Sequence, residues 1–114
     1  MNIISELTAL LTDLDTPFET GHYSGTPPDE YIVIVPLSDT YENFADNEAQ
    51  SETQEARLSI YSKNNYYPVR NRLTKALIKS GFTVTDRRYI GFETDTKYHH
   101  VAVDVLKIYD AEEE

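Results

Sequence analysis

The run YIVIVPL, residues 31–37, constrains the fold more than any other stretch of the chain. It is apolar at both parities, and successive side chains on a strand point to opposite faces, so a strand built from it needs cover on both sides. Four of the seven residues are β-branched, which suits a pleated, buried surface. The chain must therefore build a sheet around this strand. Pro36 has no N–H to give to a ladder, which predicts that the strand ends there, at or near a sheet edge.

The cover on one side is visible at the N-terminus. Ile3, Ile4, Leu7, Leu10, Leu11 and Leu14 fall on one stripe of a 3.6-residue period, so the opening segment reads as an amphipathic helix. Pro17 disfavours helical geometry at Thr16 and sets a stop near Asp15. Phe18 to Tyr23 reads as a short extended piece, and SGTPPDE as a turn.

After the central strand comes SDTYENFADNEAQSETQE, with six acids and no base. Its only bulky apolar side chains are Tyr41 and Phe44, and the stretch predicts an acidic, flexible loop over about residues 38–54. ARLSIYSK alternates as a half-buried strand. NNYYPVRNRLTKALIKSGF then carries the signals of a helix: Asn64 or Asn65 to cap it, Pro68 in its first turn, and Val69, Leu73, Ala76 and Leu77 as its buried stripe. Gly81 suits the left-handed residue beyond its end, with Phe82 folding back onto Leu77. Arg70, Arg72, Lys75 and Lys79 are assigned to its outer face as a basic surface and a candidate subunit interface. Two further strands, about 82–92 and 97–109, meet across a turn at ETDTK. Helices on one face of a mostly antiparallel, mixed-order sheet of four to five strands, an α+β fold, accommodates this order.

At 114 residues, the chain has the length of a single domain, 1–114, closing on an acidic tail at about 110–114 that is expected to be disordered. No apolar run approaches the ~20 residues that span a bilayer, and the first residues lack the pattern of a signal peptide, so a cytoplasmic setting is expected. Without cysteine there is no disulfide, thiolate ligand or thiol nucleophile. The net charge of −10 is unevenly spread: residues 1–56 hold twelve acids and no Lys or Arg, and all ten basic residues lie between Arg57 and Lys107. Such asymmetry either serves solubility or gives the two halves different neighbours, including each other in adjacent copies.

The candidate chemistry is sparse. In GFETDTKYHHVAVDV, His99 and His100 lie on a strand and face opposite ways, so they do not share an ion through that geometry. A metal or hydrolytic site would have to recruit His22, Glu93 or Asp95, and nothing in the spacing matches a helical zinc pair, a calcium loop or a phosphate-cradling glycine loop. No nucleophile and base pair up, so no catalytic residue, metal or cofactor is assigned. Direct nucleic-acid recognition is opposed by the overall charge. Nine tyrosines lean instead towards protein contacts.

The series YIVIVPLSD, FADNE, LSIYSKNNY, LIKSGF and ETDTKYHH resembles the small tail-completion, or tail-to-head joining, proteins of long-tailed phages and prophages of Gram-positive bacteria. Ser62 and Lys63 leading into a helix, and Glu93, Asp95 and Thr96 leading into Tyr98 and His99, carry the likeness, which spans about residues 30–105. The resemblance implies a fold like that of a tail terminator and a virion protein at the tail top, made in the host cytoplasm. It also implies a non-catalytic ring of six copies that meets the tail-tube protein below and the head-connector (stopper) protein above, with DNA passing through but not specifically bound. A different adaptor of the neck is the nearest alternative, and a small metal protein or hydrolase using His99 and His100 the more distant one. On the tail-completion reading, the acidic loop is the contact surface, with Tyr41 and Phe44 as anchors and Asp39, Glu42, Asp46 and Glu48 as its charge.

Overall fold

The computed structural model of the protein describes residues 2–42 and 51–110. The elements run α1 (Ile3–Leu14), β1 (Phe18–Thr20), β2 (Glu30–Glu42), β3 (Ser51–Ser62), α2 (Tyr67–Lys79), β4 (Thr83–Phe92) and β5 (His99–Asp110). The strands form one sheet in the order β1-β2-β3-β5-β4. Only β1 and β2 are parallel; every other neighbouring pair is antiparallel. The fold is α+β, with both helices on one face of the sheet.

Local chemistry sets the helix ends. The Asn2 side chain accepts from the Ser5 amide at 2.8 Å, capping α1, and Asp15 ends it in the left-handed region at φ 58°. At α2 the cap is Tyr66, not an asparagine; Asn65 instead accepts from the Tyr67 amide at 3.1 Å. Gly81 takes φ 90°, and the Phe82 amide returns to the Leu77 carbonyl at 3.0 Å, the left-handed closure that the sequence predicts.

The main core lies between helices and sheet. Leu7 and Leu11 of α1 and Leu73 and Leu77 of α2 pack with Ile32, Ile34, Leu58, Ile60, Val101 and Val103, all fully or almost fully buried. Each such side chain contributes about 1.5–3 kcal/mol through loss of apolar surface to water. The opposite face is covered differently. Tyr31, Val33 and Tyr98 form a second, smaller core with Tyr23, Val35 and Tyr61, under the segment that joins β1 to β2. The Tyr98 hydroxyl ties that segment down by donating to the Pro28 carbonyl at 2.6 Å. β2 is thus buried on both faces from Tyr31 to Ile34, as its two-sided apolar pattern requires.

Three expectations are corrected here. Pro36 does not end its strand: Leu37 is passed over as a bulge between Pro36 and Ser38, and β2 continues to Glu42. Its edge position is real, because β1 pairs only as far as Ile34. The loop expected over 38–54 is also shorter, since Ser38–Glu42 pairs with Ser51–Glu55 as an extension of the β2–β3 hairpin. Acidic side chains concealed the alternation, and Thr40 opposite Thr53 was the β-branched pair that could have exposed it. Asp110, assigned to the tail, is the last residue of β5. The described residues span 53 × 25 × 24 Å, the long dimension that such long strands produce.

Candidate protein-interaction site

The distal hairpin is built on a register change. Before the bulge, Ile32 and Ile34 face the helices; after it, Asp39 opposite Gln54 and Tyr41 opposite Glu52 take that side. Tyr41 is 57% exposed, and Asp39 is exposed beside it. Glu42 ends β2. Phe44, Asp46 and Glu48, the remaining residues assigned to this surface, lie outside the described residues.

On β3 the same stretch is not a solvated acidic face. Glu52 and Gln54 are only 3% and 2% exposed. The Gln54 amide nitrogen donates to Glu52 Oε2 at 2.7 Å, while its carbonyl oxygen accepts the Ile3 amide at 2.8 Å. One of the unsatisfied amides at the start of α1 is thereby met by a strand side chain. Close by, Glu6 of α1 accepts from the Tyr109 hydroxyl and pairs with Lys107 at 3.0 Å. These contacts attach α1 and β5 to the hairpin where it leaves the core.

The basic residues of α2 divide between two faces: Arg72, Lys75 and Lys79, spaced i, i+3 and i+7, share one, and Arg70 lies apart. Arg70 lies over the Tyr67 ring at 4.4 Å, whereas Arg72 reaches Thr16 Oγ1 at 3.3 Å, beside the end of α1. Two residues apart on a helix means about 200° of rotation, so a single face could not hold both. Lys75 and Lys79 are exposed.

Seven of the nine tyrosines gather in two groups on opposite faces of the sheet, with Tyr41 and Tyr109 outside them. On the helix-free face, Tyr31, Tyr61 and His100 are register partners across β2, β3 and β5 and stack in a row, with centroids 4.9 and 4.4 Å apart. Burial and the neighbouring Tyr61 and Tyr98 hydroxyls push the Tyr31 phenol up to about 12. Burial lowers the His100 imidazole, with Glu93 opposing and Arg57 reinforcing the shift, and His100 Nε2 is buried without a hydrogen-bond partner. Below this row, Arg57 grips Asp104 through two hydrogen bonds, 2.7 and 3.0 Å, and that contact raises the guanidinium pKa against the opposing effect of burial.

On the helix side, Tyr66, Tyr67, Tyr89, Phe92 and His99 cluster where α2 begins and β4 ends. His99 Nδ1 is 3.0 Å from the Tyr89 hydroxyl. Much of this cluster is open: Tyr67, Tyr89 and Phe92 each expose about half their surface, as does neighbouring Ile90. The histidines therefore sit on opposite faces, in separate aromatic groups. Glu93 accepts from Thr96 Oγ1 at 2.7 Å and organises the β4–β5 turn, with Asp95 exposed beside it. Among the described residues, no three His, Cys, Asp or Glu side chains, His22 included, lie together as a potential metal site.

No protein-family model matches the chain, and no curated protein matches it. None of the helices among the described residues is long and apolar enough to cross a membrane.

Proposed function

We propose that this chain is a phage virion structural protein of tail-terminator-like fold that completes the tail and joins it to the head connector as a ring-forming adaptor, without catalysis. The observation that carries the reading is the acidic hairpin reaching beyond the helices, with Asp39 and Tyr41 exposed and the aromatic, basic cluster of α2 and β4 elsewhere on the same subunit. An adaptor needs unlike surfaces for unlike neighbours, and a ring needs two complementary surfaces on each copy. The motif series that resembles tail-completion proteins adds direction to this argument: LSIYSKNNY forms the passage from β3 into α2, and ETDTKYHH forms the turn into β5.

In this role, six copies would surround the DNA path at the tail top, with the tail-tube protein below and the connector above. Acidic side chains lining the opening would let DNA pass without holding it. The deciding experiment is electron microscopy of virions from a strain lacking the gene. Unjoined heads and tails of uncontrolled length are expected; normal particles would reject the role. Cross-linking to the tail-tube protein, rather than to the connector alone, separates tail completion from a neck adaptor placed nearer the head.

A further inference from the structure

Among the described residues the sheet leaves several stretches of edge unpaired, and two of them are opposite in character. One is β4, which pairs with β5 only, so its other side is free among the described residues. Bulges at Thr85 and Ile90 bracket its regular part, Asp86–Tyr89, where Arg87 and Arg88 stand against a single acid. The other is distal β2. Among the described residues it has β3 alone as a neighbour beyond Ile34, and beyond its bulge it offers Ser38–Glu42, with Asp39, Glu42 and no base.

Each edge also exposes large apolar side chains, Tyr89, Ile90 and Phe92 on β4 and Leu37 and Tyr41 on β2. Exposed backbone with apolar side chains is a template for another strand. Like edges would bring like charges together, whereas unlike edges attract.

We infer that the occupant of the β4 edge is the distal β2 edge of a second copy of this chain, so that subunits join head to tail through one continuous sheet. The contact is heterologous, and repetition with a suitable rotation closes a ring. The inference rests on the ring-forming reading above for that closure, but pairing of the two edges has its own test. Four or five residues on each side fall well short of the area a stable interface buries, about 800 Å² per partner, so each joint is weak alone and gains from closure or from a template.

The test places a photoreactive phenylalanine at Tyr89, mixes isotope-labelled and unlabelled copies at high concentration and low salt, and maps the adducts by mass spectrometry. Adducts between copies at residues 37–42 are expected. They should fall about tenfold in Arg87→Glu/Arg88→Glu and return when Asp39→Lys/Glu42→Lys is added, with melting temperatures confirming that each variant folds. Adducts from β4 to β4, adducts at other surfaces, or none between copies would overturn edge pairing. Normal virions from the deletion strain together with the expected adducts would instead remove the phage role and leave the pairing in place.

Discussion

The two halves of β2 are one strand with opposite surroundings. Tyr31–Ile34 is sealed between the helices and the tyrosine-rich face, whereas Ser38–Tyr41 has exposed side chains throughout. Pro36 and the Leu37 bulge mark the change, where apolar sequence turns acidic and the register shifts by one residue. The strand thus separates a buried half from an exposed one along its length. Substitutions in the first half should act on folding, and substitutions in the second on assembly.

The largest expected effect lies beside the sealed half. Leu58 is fully buried opposite Ile34 and Val103, in the centre of the sheet. Leu58→Ala leaves a cavity there and should cost about 2–5 kcal/mol in denaturant unfolding. A loss comparable to that of an exposed position would mean that the helices do not seal this face.

On the other face, alkaline pH probes the same region. Tyr31 ionises at about 12 in the folded protein against 10.0 for an ordinary tyrosine. Its contribution is fully present below pH 10 and is lost as pH rises towards 12, because the unfolded chain releases the proton first. The loss should be about 2–3 kcal/mol. Stability measured across this range should fall less in Tyr31→Phe; identical curves would argue against a buried phenol in the aromatic row. A smaller effect belongs to Arg57 and Asp104, whose geometry is good but whose side chains are 35% and 18% exposed. A double-mutant cycle with Arg57→Gln and Asp104→Asn should give a coupling of about 1 kcal/mol, reduced by salt.

The sequence made the sealed region legible because burial on both sides writes itself as apolar residues at both parities. Both helices were equally legible, from the stripe of α1 and from Val69, Leu73 and Leu77 of α2. Distal β2 and β3 were not, because the exposed Asp39 and Tyr41 of β2 lie opposite the buried polar Gln54 and Glu52 of β3, and this face has no apolar alternation to read. The aromatic row was hidden for another reason: Tyr31, Tyr61 and His100 become neighbours only through register, which individual residue types do not specify. Of the basic residues of α2, Arg72, Lys75 and Lys79 share a face and Arg70 does not, because it lies about 200° of helix rotation from Arg72. Of the candidate site, the sequence supplied the acidic character and Tyr41, while the unpaired edges required the sheet order.

The smallest effect on stability should come from Tyr41, and it tests the comparison most directly. Its ring lies on the helix side of β2 but past the cover that α1 gives Ile32 and Ile34, and more than half its surface remains in water. Tyr41→Ser should therefore change stability by only about 0.5 kcal/mol. If the distal half carries contacts, adding Phe44→Ser should lower head-to-tail joining in complementation of the deletion strain while leaving the melting temperature nearly unchanged. Joining at the normal level would remove the hairpin from the contact surface. A large loss of stability would show instead that the distal half supports the fold, and the division at Pro36 would no longer hold.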